Sequence, residues 1–511
     1  MEKIKKILNF IKNNYLYLLF VIPFIFVSFG NNIPNSDIWF VLTLGKYVFS
    51  NGVPSVDPFT IHEGLEYIMQ QWGSASIMWK IYDIFGDSGI LMMVYVVCFL
   101  LLIFLYKLCR ENNKNKTISI VLTTLAVSII GTHFVVMRPH IFSYLLFIIE
   151  ILLLEKYVKS SNWKYLIGLP ILSLISVNLH LSMWYFLFVF LLPFIANAIY
   201  IKNITIDKIK LLPLLVTMVL MFVVGFINPY GINGLSFVFR SYGIDMINEY
   251  IAEMQAPIIG NEFSIYYLIS LGLIFALILC QRYLKKFKLD VRHICFVFGT
   301  YFLYVNHLKC LPYFILIYFY VMSYGFKDVK LRDIKFKYME QLKVIVNRTV
   351  VILCVLLFVT FFYVSYLSFN NYSLEPDFSF NDDEVEIADF IEENYGTDSV
   401  RLYSTFDEGR YYLHRGFKVY IDGRAELFFK SHNGKADIFA EALEVEEDKI
   451  DYDYKSFIDK YNFTHIIIFD DCNFDNYLAT DERYEKVYTT YLDSERQNPY
   501  RNIYALKSTE N

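Results

Sequence analysis

The sequence predicts a polytopic α-helical membrane protein with a small α/β domain at its C-terminal end. Three observations carry that expectation. The 511 residues are 56% hydrophobic and 19% aromatic, and the mean hydropathy is +0.39, too apolar for a soluble globular chain. Apolar runs of membrane-crossing length recur through residues 1–370. Over residues 375–511 the pattern changes to acidic, with short alternating strand and helix signals. The net charge of −5 says little, because basic residues sit in short loops and acidic ones crowd the C-terminal part, and nothing suggests a nucleic-acid partner. The seven cysteines form no CxxC pair, which argues against a disulfide framework or a zinc site.

Apolar runs fall near 14–30, 89–106, 117–136, 141–155, 164–178, 182–200, 211–227, 263–280, 291–306, 311–326 and 348–368, or about eleven spans. Residues 1–12 are basic, and no small-residue cleavage site follows the first run, so it reads as an uncleaved span. Lys and Arg concentrate in alternate loops, among them 107–116, 156–164, 202–210, 282–292 and 327–348. The other set holds only Lys46, Lys80, Arg138, Arg240 and Lys309. The positive-inside rule then puts the N-terminus in the cytoplasm. Loops 30–88, 137–140, 179–181, 228–262 and 307–310, and the C-terminal domain, face outward.

Within loop 30–88, Ser36 reads as an N-cap and Asp37 as the first turn of a helix with the apolar face Ile38, Val41, Leu42, Leu44, Val48 and Phe49. Asn51-Gly52 stops it. It is too short to span, so the expectation is a helix lying on the membrane surface. Asp57 follows on the Pro-rich loop 53–58. Residues 69–85 read as a second amphipathic helix, with Trp39, Trp72 and Trp79 available as interface anchors. In the C-terminal domain, 400–404, 417–421, 464–469, 484–490 and 502–507 read as strands, and 384–395, 436–446 and 452–461 as helices.

The outward ends of the runs present Asp37, Asp57, His62, Arg138, His140, His180, Arg240, Glu253 and Lys309 from different loops on one side. Charge at a membrane boundary is costly and often functional. Carboxylates with imidazoles and cations suit a phosphate-bearing ligand plus an acid or base. The alternatives stand beside this reading: Asp37 as a helix cap, Asp57 as a turn residue, Arg138 as a lipid-headgroup contact and His180 as a structural histidine. Asn228-Pro229-Tyr230-Gly231 reads as a turn, and Asp422 and Arg424 as a structural pair or a ligand site. Asp37, Asp57, His62 and Glu253 could supply hard ligands to a divalent cation, but there is no HExxH or His-x-His, and metal use is left open. GxxxxGK[ST] and GxSxG are absent, against an ATP-driven pump and a serine hydrolase.

Taken in order, Ser36-Asp37-Ile38-Trp39 to Gly45, Asn51-Gly52-Val53-Pro54, Asp57-Pro58-Phe59-Thr60, Arg138-Pro139, Asn178-Leu179-His180, Asn228-Pro229-Tyr230-Gly231, Glu253 with Pro257, and Tyr420-Ile421-Asp422-Gly423-Arg424-Ala425-Glu426 resemble bacterial polytopic proteins of the C-type (GT-C) glycosyltransferase superfamily. The likeness is to a branch with a C-terminal extracytoplasmic domain. It implies transfer of a sugar from a polyprenyl-phosphate carrier to a glycan, lipid or protein acceptor of the cell envelope. Asp37 would be the general base, and Arg138, with Arg240 or Lys309, would neutralise the departing phosphate. Many superfamily members carry an acidic pair where Asp37 is followed by Ile38, and no WWDxG motif is present. The other readings are a transporter or flippase for lipid-linked glycans and an assembly protein.

Overall fold

The computed structural model describes residues 14–31, 37–199, 201, 204–241, 244–257, 263–329, 359, 363, 374, 382–492 and 497–507. The expectations for the basic residues 1–12, the Ser36 cap and the run 348–368 lie outside them. The chain divides into two compact units. A helical unit comprises Met1–Asn32, Ser88–Asn228 and Asp245–Tyr372. A mixed unit comprises Ile33–Asp87, Pro229–Ile244 and Ser373–Asn511. The first outer loop thus clusters with the C-terminal region.

Among the described residues, Trp72–Asn112, Leu181–Ala198, Ser264–Tyr283 and Leu308–Gly325 are long and apolar enough to cross a membrane. Tyr15–Gly30, Lys116–Gly131, Trp163–Leu179 and Leu211–Gly225 are shorter apolar helices. Among the described residues these helices do not confirm the sequence-based count of about eleven. Trp72–Asn112 is broken at Gly86, whose φ of 63° and ψ of −157° are open to glycine, so the 69–85 amphipathic segment and the 89–106 run are separate helices as the sequence predicts. A buried ionic knot ties Ile141–Ser160 to Val291–Asn306. The Arg292 guanidinium donates to Glu155 at 2.7 Å and to Asp207 at 2.8 Å, and Asp290 caps the second helix. Arg292, which falls in the basic loop 282–292, is 0% exposed.

The mixed unit carries a five-stranded sheet in the order β2-β1-β3-β5-β4, from β1 (Arg401–Tyr403), β2 (Lys418–Val419), β3 (His465–Phe469), β4 (Tyr484–Tyr491) and β5 (Pro499–Leu506). β2, β1 and β3 run parallel, and β5 is antiparallel to both β3 and β4. Each strand falls on a sequence-predicted one. The helices Asp382–Tyr395, Ile438–Glu446 and Tyr454–Tyr461 also match; the short helices Gly409–His414 and Asn473–Leu478 are additional.

The helix Asp37–Asn51 departs from expectation. Ile38 through Leu42, Leu44 and Gly45 are buried, because the helix packs on Gly409–His414 rather than presenting one face outward. Trp39 is 6% exposed and meets the rings of Tyr411 at 5.3 Å and His414 at 5.0 Å, so it is core and not an interface anchor. Gly45 crosses the next helix closely. A Cβ there would lie 2.2 Å from the Ala75 carbonyl oxygen. Gly45→Ala should therefore destabilise the protein by about 1–3 kcal/mol through overpacking against backbone. A melting curve of the purified variant checks this.

Candidate functional site

The mixed unit holds Asp37, Asp57 and Arg240. Residues 54–69 form a loop docked on the C-terminal sheet. Thr60 makes a parallel bridge with Val419, the Ile61 amide donates to the Val419 carbonyl at 2.9 Å, and Lys418 donates to the Pro58 carbonyl at 2.9 Å. Tyr230 staples the loop by donating to the Pro54 carbonyl and accepting from the Met69 amide, both at 2.9 Å. Asn228-Pro229-Tyr230-Gly231 is thus a turn that also delivers a bridging hydroxyl. Tyr230→Phe should cost about 1–2 kcal/mol, one hydrogen bond lost and one amide left wanting, measurable by chemical unfolding.

At the base of this loop Asp57 is used up. Its side chain is 0% exposed, its Oδ1 receives the Arg424 Nη1 at 2.6 Å, and its Oδ2 accepts from the Thr60 amide at 2.9 Å and hydroxyl at 2.7 Å. Arg424 turns its other edge on Asp422, with Nε at 2.8 Å and Nη2 at 2.6 Å, and lies over the rings of Phe59 and Tyr67. Both Asp57 carboxylate oxygens are engaged and the side chain is buried, the arrangement of a structural strut rather than of an exposed base. Asp422 and Arg424 take the structural alternative. His62 bonds the Tyr420 carbonyl through Nε2 at 2.7 Å and is structural as well.

Asp37 is placed differently. It opens its helix with its side chain 19% exposed, and Arg410 Nη1 stands 3.2 Å from Oδ1. Arg410 also holds Asp407 at 2.7 Å. A carboxylate that is part-exposed and oriented by one guanidinium can still take a proton from a hydroxyl. Arg240 reaches the Asn233 carbonyl of its own helix at 3.4 Å, and His432 lies beside it.

In the helical unit Arg138 is ion-paired to Glu253. Burial pushes the Glu253 carboxyl up, but Arg138, with His140 and Lys309, outweighs it and holds the group below its ordinary value. His180 feels His140 and Lys309 too; burial first, then these two charges, push it down to about 3, so it is neutral at pH 7. The 307–310 turn is tied to the 252–255 turn through Leu308 N to the Gln255 carbonyl at 2.8 Å and His307 Nδ1 to the Met254 carbonyl at 2.7 Å. Four of the sequence-predicted residues, Arg138, His180, Glu253 and Lys309, thus share one polar cluster, joined by His140. Among the described residues no group of three or more His, Cys, Asp or Glu side chains is placed to hold a metal ion. Arg410 is the residue that sequence reasoning missed. Its signal is faint, one arginine on a six-residue helix between two strands.

No family model and no curated protein matches the chain. Solved structures do. The fold is similar to that of an archaeal oligosaccharyltransferase. The archaeal oligosaccharyltransferase AglB from Archaeoglobus fulgidus, in complex with an inhibitory peptide and a dolichol-phosphate, superposes with a TM-score of 0.58 at 11% identity, covering 89% of this chain and 69% of that one. The Archaeoglobus fulgidus oligosaccharyltransferase in the apo form gives 0.57 at 12% identity over 88% and 69%. The same enzyme tethered to an acceptor peptide containing the NVT sequon gives 0.57 at 12% over 96% and 74%.

Proposed function

We propose that this chain is a membrane glycosyltransferase that moves a sugar from a polyprenyl-phosphate carrier to an acceptor outside the cytoplasmic membrane. The observation that carries the reading is Asp37: part-exposed, oriented by Arg410, and opening the helix after the first apolar segment of a chain with an oligosaccharyltransferase fold. One neighbour was solved with a dolichol-phosphate, which supports a lipid-phosphate donor. In the reaction, an Asp37 oxygen takes the acceptor hydroxyl proton, the acceptor oxygen bonds to the anomeric carbon, and the bond from that carbon to the phosphate oxygen breaks. The leaving polyprenyl phosphate carries the electron pair; Arg138 and Lys309, in the helical unit, are proposed as phosphate-binding cations. The loop charge pattern supports about eleven spans with a cytoplasmic N-terminus, and residues 375–511 as an extracytoplasmic domain.

The test is a transfer assay on detergent-purified protein with a panel of polyprenyl-phosphate sugars, with and without divalent cations, read as release of polyprenyl phosphate. Release by the wild type supports the reading. Silence from every donor with folded protein moves the weight to transport of lipid-linked glycans. Within the assay, Arg138→Ala should raise the donor KM about tenfold or more, the worth of one charge-assisted contact.

A further inference from the structure

The mixed unit contains a cavity of about 390 Å³ beside Trp39, within the size range of small-molecule sites. Its wall mixes charges that do not cancel. Glu384, Glu408, Glu446 and Asp407 face it, against Arg410 and Arg501. The aromatic rings of Trp39, Tyr411 and Phe469 complete the lining.

Most of these polar groups are engaged. Glu408 pairs with Arg501 Nη2 at 2.5 Å, Glu446 accepts from the Phe406 amide at 2.9 Å, and Arg410 spans Asp37 and Asp407. Glu384 and Arg501 are not fully served. Glu384 is only 7% exposed, and the cation acting on it, Arg501, is itself committed to Asp383 and Glu408. Arg501, 6% exposed, keeps its Nε without an acceptor. A buried polar group without a partner costs free energy that a ligand can recover.

The two demands differ in sign. Glu384 needs a donor, best a cationic one, since Glu408, Asp383 and Asp407 lie around it. Arg501 needs an acceptor oxygen. A metal ion meets only the first. A simple alkyl ammonium lacks the oxygen. A hydroxylated primary amine meets both, and the aromatic walls suit either a cation or the C–H face of a sugar ring. We propose that this cavity is a binding site for an amino sugar with a free amine, its ammonium on Glu384 and a hydroxyl oxygen on Arg501. The electrostatics agree. Burial, then the neighbouring Glu408, pushes the Glu384 carboxyl up to about 8, and burial pushes Glu446 up to about 7, so the empty cavity resists the negative charge that a bound ammonium would allow. The inference does not depend on catalysis by Asp37.

The experiment is binding to the detergent-purified full chain, by calorimetry, of glucosamine, N-acetylglucosamine and glucose. Glucosamine should bind saturably. Its N-acetyl form, which has lost the cation, and glucose should bind at least about tenfold more weakly, as for one charge-assisted hydrogen bond. Glu384→Gln should weaken glucosamine by a similar factor and leave the ranking of the neutral sugars unchanged. No glucosamine binding, or equal binding of all three sugars, overturns the proposal whatever the variant does. A folded Glu384→Gln variant that binds glucosamine as the wild type does also overturns it. Transfer activity is read separately, so a silent transfer assay with glucosamine still bound would sink the proposed function alone.

Discussion

Asp37→Asn should cut sugar transfer by about 10²- to 10⁴-fold, the usual contribution of a positioned general base, with little change in melting temperature. The substitution keeps the size of the side chain and leaves a carbonyl oxygen for Arg410 at the 3.2 Å position. It removes the capacity to take a proton. Donor KM should therefore stay near the wild-type value while kcat falls, since no binding contact is deleted. Arg410→Gln gives the companion measurement. Arg410 acts through Asp37, so its loss should lower kcat less than Asp37→Asn, and the two substitutions combined should fall no further than Asp37→Asn alone. Full transfer by the Asp37→Asn variant would end the assignment of the base; an additive double variant would separate Arg410 from it.

How far the sequence carried this reading depends on the range of the interaction in question. The sheet strands were legible because alternation and turn residues are local: 464–469 and 484–490 are patterns of a few residues each. The break at Gly86 was legible for the same reason. The docking of the first outer loop on the sheet was not. It rests on Thr60 meeting Val419, Lys418 meeting Pro58 and Asp57 meeting Arg424, partners far apart in sequence whose residue types are unremarkable singly. The helix Asp37–Asn51 was located correctly by its apolar spacing, yet its environment was misread. An apolar stripe reports that a helix buries one face, not whether lipid or Tyr411 and His414 cover it. Likewise Asp37 and Asp57 look equivalent as lone carboxylates on an outer loop. Only their surroundings tell them apart: Asp37 beside the Arg410 guanidinium at a part-exposed edge, Asp57 buried among the Arg424 and Thr60 donors.

That separation gives the second large effect. Arg424→Met should destabilise the mixed unit by about 3–5 kcal/mol, because it strands two carboxylates, Asp57 and Asp422, both with side chains 0% exposed. Asp57→Asn should cost less, since the amide oxygen can still accept from Thr60. Removing the whole set together, Asp57→Asn with Asp422→Asn and Arg424→Met, should recover part of the loss of Arg424→Met alone, as no charge then remains buried unpaired. Acid sharpens the test. Burial pushes the Asp57 carboxyl up, but Arg424 and the Thr60 bonds outweigh it and hold the group below its ordinary 3.8. A depressed folded value means the contribution is complete above pH 3.8 and is lost as pH falls through the folded value. Asp57→Asn should remove that acid-side loss and leave the slope near pH 7 unchanged. The local consequence is release of residues 54–69 from β2, read as new protease cleavage in that loop. An Asp57→Asn protein that stays folded should keep its transfer activity, in contrast to Asp37→Asn; loss of turnover without loss of stability would return Asp57 to the chemistry.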